Sequence, residues 1–265
     1  MEQYKGMALI IKEEDGFRYV EQGSGRTMLL LHGLFGALSN WQDVIERFSP
    51  EYRVIIPFLP VYELPILKSN LKSLVKFVYR FITYKELDQI HLLGNSLGGH
   101  IALMYVLEHP ERISTLVLTG SSGLYENAFG GSFPKRGNYE FIKEKVEYTF
   151  YNPETASKEL IDEVYELVND RAKVIRILAM AKSAIRHNLA KSLPEIKIPV
   201  SLIWGKEDRI TPPDVAIEFH KLIPNSELNW IDHCGHVPMM EQPEKFNEVL
   251  ARFLEVSEPN LKVQN

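Results

Sequence analysis

The sequence lacks several features that would indicate particular classes of protein. Its one cysteine, Cys234, excludes an intramolecular disulfide and a zinc site built from several thiolates. No apolar run approaches the ~20 residues that a membrane-spanning helix needs. The run 7–11 is too short, and too soon followed by charge, to be a signal peptide. We therefore expect a cytoplasmic protein without membrane insertion.

An excess of positive charge is also missing. Lys and Arg together number 30 and Asp and Glu number 35, which gives a formal net charge of −5. A chain of this charge repels polyanions, so we expect no nucleic-acid partner. The histidines are scattered without metal-ligand spacing, and no metal or organic cofactor is expected. A small-molecule substrate is the predicted partner, and the oligomeric state stays open.

What the sequence does contain is the composition of an ordinary globular protein, with 265 residues of which 45% are hydrophobic and 25% charged. At ~150 residues per domain, this length predicts one large domain or one domain with an insertion. Short continuous apolar runs are typical of strands buried on both faces, and they predict a central parallel sheet. The runs are 28–31, 54–56, 90–93, 116–118, 200–204 and 228–231.

Helical patterns lie between these runs, so the chain alternates strand and helix as in a doubly wound α/β sheet. The patterns cover 97–108 and 215–222 and begin again after Pro243. Near the N-terminus, residues 7–12 and 17–21 flank Asp15-Gly16, a dipeptide that tolerates a tight turn. We predict an antiparallel hairpin there, at the edge of a mostly parallel sheet.

Residues 120–196 interrupt the alternation. They contain no convincing buried strand but predict helices around 138–151, 153–168 and 171–188, and they are rich in aromatic residues. We interpret this stretch as a helical cap inserted over one end of the sheet. The predicted domains are an α/β core at 1–119 and 197–265 and a helical cap at 120–196.

The motif Gly94-Asn95-Ser96-Leu97-Gly98-Gly99 joins a predicted strand to a predicted helix. A nucleophile elbow needs a strand, a turn so sharp that only glycines clear the neighbouring backbone, and a helix N-terminus pointing at the serine. A plain glycine-rich turn or a phosphate-binding loop would share part of this pattern. The Walker lysine and a G-x-G-x-x-G motif are both missing, however, so we interpret Ser96 as a catalytic nucleophile.

The stretch His32-Gly33-Leu34-Phe35-Gly36 follows another predicted strand. A serine that transfers acyl groups needs two donors aimed at the developing oxyanion, each contributing about 3 kcal/mol in the transition state. We expect these donors to be the backbone N–H groups of Leu97 and Leu34, although the glycines could serve only to permit a turn. His32 is predicted to be a structural histidine.

With these motifs the sequence resembles the α/β-hydrolase fold family, over nearly the whole chain outside the predicted cap. The resemblance implies a catalytic triad in the chain order Ser, then Asp or Glu, then His. The stretch 204–212 looks like the acid loop of the family and places the acid at Asp208. The stretch 233–238 looks like its histidine loop and selects His236 as the base.

Other residues in these two loops are rivals for the same roles. Glu207 and Asp232 are alternative acids, and we interpret both as solvated loop charges. His233 is the alternative base, but the Gly235-His236 pairing favours His236. Cys234 is a second nucleophile in principle, and its surroundings are explained by the histidine loop.

Two further features bear on the substrate. Serine at the nucleophile position sets aside the haloalkane dehalogenases and epoxide hydrolases of this fold, which use aspartate. The motif around Asn95 and the stretch Ser39-Asn40-Trp41 are similar to carbon–carbon bond hydrolases that cleave vinylogous diketones. Those enzymes commonly place tryptophan after the catalytic histidine, where this chain has Val237. The stretch 57–62 also departs from the common Asp-x-x-Gly-x-Gly pattern of the family.

We expect a serine hydrolase that cleaves a small or medium carboxylic ester through an acyl-enzyme. The alternatives are a carbon–carbon bond hydrolase with the same triad and a receptor or scaffold that has lost turnover. Apolar walls favour neutral acyl or aryl esters, whereas Lys135 and Arg136 could recruit an anionic substrate. The candidate pocket residues are Phe35, Asn40, Asn95, Tyr125, Phe129, Val237 and Met240.

Overall fold

A computed structural model of the chain describes residues 2–4, 7–35, 39–125 and 136–257. The strands in these residues are β1 (Glu2–Tyr4), β2 (Met7–Leu9), β3 (Ile11–Glu14), β4 (Phe17–Gln22), β5 (Arg26–Leu31), β6 (Tyr52–Pro57), β7 (Ile90–Asn95), β8 (Ile113–Thr119), β9 (Val200–Gly205) and β10 (Ser226–Ile231). Eight of them form one sheet in the order β10-β9-β8-β7-β5-β6-β4-β3.

The sheet is parallel from β10 to β6 and antiparallel where β4 and β3 continue it. This confirms the predicted α/β class with a mostly parallel sheet. Because parallel strands end at the same edge, the loops after β5, β7, β9 and β10 are all brought to one side of the molecule. Those are the loops that carry the predicted chemistry.

The N-terminal hairpin is confirmed, with Ile11–Glu14 paired to Phe17–Gln22 across the turn at Asp15-Gly16. Its first strand is shorter than predicted. Met7–Leu9 belongs instead to a separate two-stranded sheet with Glu2–Tyr4. The apolar run 7–11 was therefore wrongly read as part of one strand, because composition does not reveal which neighbour each half pairs with.

Helices cover both faces of the sheet. They are α1 (Gln42–Phe48), α2 (Leu71–Tyr84), α3 (Leu97–Glu108), α7 (Pro213–Leu222), α8 (Pro238–Glu241) and α9 (Pro243–Ser257). Leu29 and Leu31 of β5 pack with α2 and α3, whereas Met28 and Leu30 point to the face covered by α1 and α9. Within the described ranges, no helix combines the length and apolar character that crossing a bilayer requires.

The stretch between β8 and β9 is helical, as predicted. It contains α4 (Tyr139–Glu147), α5 (Lys158–Asn169) and α6 (Arg171–Arg186). The second helix starts later than predicted because the Ser157 side chain caps it by accepting from Leu160 N, and residues 153–155 form a separate short turn. The division of the chain into a core and a cap stays a prediction.

Candidate active site

Ser96 lies at the turn between β7 and α3, with φ 54° and ψ −119°. A positive φ is uncommon for a residue with a side chain, and such strain is typical of a nucleophile elbow. Glycines make the turn possible: a Cβ on Gly98 would lie 2.1 Å from the Leu31 carbonyl oxygen, and one on Gly94 would lie 2.6 Å from the Gly98 carbonyl oxygen. The geometry is therefore that of the predicted elbow.

The loop after β5 approaches the elbow closely. A Cβ on Gly33 would lie 3.3 Å from Ser96 Cβ, so glycine leaves room for substrate beside the serine. His32 Nδ1 donates to the Gly33 carbonyl oxygen at 2.8 Å, and His32 Nε2 accepts from Leu59 N at 3.0 Å. Burial lowers the pKa of His32 to about 4, so the imidazole is neutral and holds two loops together. These contacts suit the predicted structural role.

The same loop is held from a second side. The Tyr62 hydroxyl donates to the Leu34 carbonyl oxygen, and burial raises the pKa of Tyr62, so the phenol stays protonated as a donor. Leu59 and Tyr62 both belong to the stretch that departs from the family pattern. That stretch supports the loop carrying Leu34, a role that sequence reasoning missed.

The side chains of Asp208 and His236 are in contact, and His236 lines the cavity. Asp208 Oδ2 lies 2.9 Å from His236 Nδ1, and both side chains are buried. The other carboxylate oxygen accepts from Ile210 N at 2.8 Å and Thr211 N at 2.9 Å, while the Thr211 hydroxyl donates to Oδ2 at 2.8 Å. Four atoms, including His236 Nδ1 itself, thus form hydrogen bonds to the carboxylate and fix it against the imidazole.

Ser96 and His236 line the same cavity, although their side chains form no hydrogen bond with each other in the described structure. Catalytic hydrogen bonds are often long before substrate binds and tighten in the reacting complex. Asn95 links the two residues through the backbone. Its amide donates to the Thr119 carbonyl oxygen at 3.0 Å and to the His236 carbonyl oxygen at 3.2 Å.

The rival acids lie in different surroundings. Asp232 is exposed and pairs with Lys206 at 2.5 Å, as expected of a solvated loop charge. The same interpretation of Glu207 was wrong, because its carboxylate accepts from Cys234 N at 2.9 Å and joins the acid loop to the histidine loop. Burial raises the pKa of Cys234, which keeps its thiol protonated and a poor nucleophile.

A third carboxylate, Glu241, also supports the histidine loop. It accepts from Gly235 N at 2.6 Å and from Asn152 N at 2.6 Å. His236 N itself donates to the Thr149 carbonyl oxygen at 2.9 Å. The loop that carries the imidazole is therefore fastened to the segment that follows α4. Sequence reasoning gave Glu241 no such role.

The cavity above Ser96 has a volume of about 200 Å³. Of the predicted pocket residues, five line it: Phe35, Asn40, Asn95, Val237 and Met240. Tyr125 does not line it, and its side chain is 60% exposed; that prediction was wrong. Phe129 and Lys135 lie outside the described residues.

Much of the cavity wall comes from helices that sequence reasoning did not connect with the site. Their contribution is apolar and comprises Phe141, Ile142, Val146, Leu160, Val164 and Val168 of α4 and α5. These residues repeat at helical spacing. That pattern predicts amphipathic helices, but it does not show what their apolar faces contact. In the part of the chain that the structure describes, no group of His, Cys, Asp and Glu is arranged to hold a metal ion.

Comparison with known proteins adds to this geometry. Residues 26–150 and 169–243 match the alpha/beta hydrolase fold family. The chain is 42% identical to an alpha/beta hydrolase enzyme from the metagenome of lagoon sediments at Mar Chica, Morocco, with a TM-score of 0.79, and the match covers 94% of this chain and 99% of that one.

Curated relatives are more distant and span nearly the whole chain. A 2-hydroxy-6-oxononadienedioate/2-hydroxy-6-oxononatrienedioate hydrolase from Paraburkholderia phymatum is 29% identical, over 89% of this chain and 90% of the relative. A 2-hydroxy-6-oxo-6-phenylhexa-2,4-dienoate hydrolase from Comamonas testosteroni is 25% identical, again over 89% and 90%.

Proposed function

The chain belongs to the alpha/beta hydrolase fold family, and from that premise we propose that it is a hydrolase using Ser96, His236 and Asp208 as a catalytic triad. One observation carries the proposal. The buried contact of 2.9 Å between Asp208 Oδ2 and His236 Nδ1 leaves His236 Nε2 to face the cavity that Ser96 also lines. Fold alone would not support a reaction, whereas this arrangement does.

In the proposed mechanism, His236 Nε2 takes the proton of the Ser96 hydroxyl, because serine is a weak nucleophile at neutral pH. Asp208 holds the imidazole in the tautomer with its proton on Nδ1 and stabilises the imidazolium that forms. Three further donors hold the carboxylate in the position that this role requires: Ile210 N, Thr211 N and the Thr211 hydroxyl.

The oxyanion that forms on the substrate carbonyl is assigned to the backbone N–H groups of Leu34 and Leu97. Leu97 is the first residue of α3, so its N–H also lies at the positive end of a helix dipole. Leu34 is held in place by the hydroxyl of Tyr62. Each donor is expected to stabilise the transition state by about 3 kcal/mol.

For the substrate we propose a dienoate ketone that is cleaved at a carbon–carbon bond. The curated relatives are named for hydrolysis of dienoates and dienedioates, which supports this class over the ester expected first from the sequence. The carbonyl carbon is the same electrophile in both reactions. The bond that breaks joins it to carbon in the dienoate and to oxygen in the ester. The leaving group takes up the proton that His236 received, and a water molecule then releases the acyl group from Ser96.

A carboxylic ester is the second candidate, favoured by the apolar wall. Apart from the polar groups around Ser96, most of the lining is aliphatic or aromatic, and it would bind a neutral acyl chain at ~0.8 kcal/mol per buried methylene. Val237 in the position after His236 also departs from the tryptophan that the carbon–carbon hydrolases commonly carry.

The test is steady-state turnover by the purified full chain. One substrate is 2-hydroxy-6-oxo-6-phenylhexa-2,4-dienoate, the compound for which a relative is named, and the others are para-nitrophenyl esters of graded acyl length. We expect a higher kcat/KM for the dienoate and no turnover by Ser96→Ala. Faster turnover of an ester would promote the second candidate. No turnover of either class would favour the receptor or scaffold alternative.

A further inference from the structure

Among the described residues that line the cavity, Lys145 is the one Lys, Arg, Asp or Glu. It lies on α4, in the stretch between β8 and β9, whereas Ser96 lies at the end of β7. The lining around it is dominated by apolar residues such as Ile142, Val146 and Leu160. An ammonium group placed among such residues needs a reason, since an apolar side chain there would pack at lower cost.

A second cation contacts the same aromatic ring. Lys145 Nζ is 5.7 Å from the centre of the Tyr148 ring, and the Arg209 guanidinium is 5.3 Å from the centre of the same ring. Lys145 Nζ is also 5.6 Å from the Phe141 ring. Arg209 follows directly on the acid Asp208, so the acid loop and α4 each bring one positive charge to Tyr148.

Neither cation forms an ion pair with a residue in the described ranges. The neighbouring Lys143 differs, because its ammonium pairs with Glu147 on the same helix at 3.8 Å. Two like charges on one ring, without an anion between them, repel each other and create a local positive potential. That potential favours binding of an anion at the cavity.

We propose that Lys145 and Arg209 form an anion-binding subsite that binds the carboxylate of the substrate. The inference rests on the proposed function and deepens it: the carbonyl lies at Ser96, the apolar body lies against α4 and α5, and the carboxylate pairs with Lys145. Arg209 is exposed and does not itself line the cavity, so it adds a weaker attraction through its position on the Tyr148 ring.

This subsite replaces the one expected from the sequence. Arg136 does not line the cavity, because its guanidinium donates to the Asn169 carbonyl oxygen at 3.0 Å. Lys135 lies outside the described residues. The positive charge that could recruit an anionic substrate is therefore assigned to α4 and the acid loop.

The test measures binding rather than turnover, so that its failure is distinct from failure of the proposed reaction. Sorbate, a six-carbon dienoate, and its neutral amide are each titrated into the full chain by calorimetry. We expect Lys145→Met to raise the Kd of sorbate about tenfold and that of the amide less than about twofold. Arg209→Gln should raise the Kd of sorbate about threefold, because an exposed charge is screened.

Two control variants make the result specific. Lys145→Arg keeps the charge and should retain sorbate binding within about threefold. Lys143→Met removes a positive charge from the same helix, but one that is paired with Glu147 and outside the cavity, and should leave both dissociation constants unchanged. Equal weakening of sorbate and the amide by Lys145→Met would assign that residue a packing role and overturn the subsite. Unchanged sorbate binding would overturn it as well.

Discussion

The floor and the wall of the cavity are built in different ways. The floor carries Ser96 and His236 on loops at the ends of strands, where hydrogen bonds of backbone and side-chain groups fix each part. The wall is supplied by α4 and α5, whose apolar side chains contact the cavity without a comparable network. Position is therefore specified tightly where the proposed mechanism transfers a proton, whereas the proposed substrate wall is specified only in polarity and volume.

The two regions are nevertheless joined. Glu241 accepts one hydrogen bond from the histidine loop at Gly235 and one from Asn152, just after α4. His236 N donates to Thr149 in the same segment. These hydrogen bonds give a change in the wall a route to the imidazole, but they involve the segment after α4 and not its apolar face, so most wall changes should leave the chemistry alone. The expected effects on activity follow from that arrangement.

The largest effect is expected at Asp208 on the floor. Asp208→Asn should lower kcat by roughly 10³–10⁴-fold with little change in KM, because a neutral amide favours the wrong imidazole tautomer without altering contacts to substrate. Asp232→Asn is the matched control, since that carboxylate is exposed and pairs with Lys206. Steady-state kinetics of both variants decide the point, and exchanged results would assign the acid to Asp232.

A smaller effect is expected at Glu241, the link between floor and wall. Gly235 N and Asn152 N donate to different oxygens of Glu241, and in Glu241→Gln one of these becomes an NH2 group that cannot accept. One N–H therefore loses its partner, so the histidine loop should loosen and kcat should fall about tenfold. Glu248→Gln, a change of an exposed residue on α9, should leave kcat unchanged. Equal kcat values for the two variants would mean that the histidine loop keeps its position without this carboxylate.

A change in the wall should alter binding and spare the chemistry. Val146 is buried and lines the cavity, and Val146→Thr keeps its shape while adding a hydroxyl. We expect KM to rise about threefold and kcat to stay within about twofold of the parent value, because an apolar contact is lost without movement of His236. A large fall in kcat would break the separation between floor and wall.

The smallest effect on activity is expected at Glu21, far from both regions. Burial alone would raise the pKa of its carboxyl, but hydrogen bonds from three cations outweigh burial and lower the pKa to about 2; the cations are Lys85, Lys12 and Arg53. Since the folded-state pKa lies below the ordinary value of 4.5, the stabilisation is present above that pH and is lost as the pH falls towards 2.

Glu21→Gln should therefore lower the free energy of unfolding by about 1–2 kcal/mol at neutral pH, with kcat unchanged. The difference from the parent protein should shrink as the pH falls below about 4.5, and urea titrations at several pH values measure it. Glu51→Gln breaks an exposed pair with Arg47 and should change stability by less than about 0.5 kcal/mol. A constant difference between Glu21→Gln and the parent across the pH range would contradict the assignment.

Much of the fold is predictable because buried parallel strands have continuous apolar runs in the sequence. The runs 90–93 and 200–204 lie within β7 and β9. Pairing is harder to predict, as Met7–Leu9 shows, since its partner Glu2–Tyr4 has no pattern of its own. The helix α2 repeats apolar residues from Leu71 to Ile82 at helical spacing, yet the sequence analysis placed no helix there.

The floor and the wall of the cavity also differ in how well their residues could be predicted from the sequence. The proposed triad of Ser96, Asp208 and His236 was chosen from the sequence because strained turns and loop motifs need particular residues at fixed spacing. The residues of the wall could not be predicted, because any apolar helix face of suitable size can line a cavity. Tyr125 was chosen for its aromatic ring and proved exposed, whereas Val146 and Leu160 were not chosen and line the cavity.

The most direct test of the central claim is covalent labelling of the full chain with an organophosphonate, followed by intact mass measurement and peptide mapping. We expect one adduct per chain, on Ser96, formed rapidly in the parent protein and absent from Ser96→Ala. We also expect Asp208→Asn to slow labelling strongly without changing its position. An adduct on any other residue, or labelling that persists in Ser96→Ala, would contradict the account.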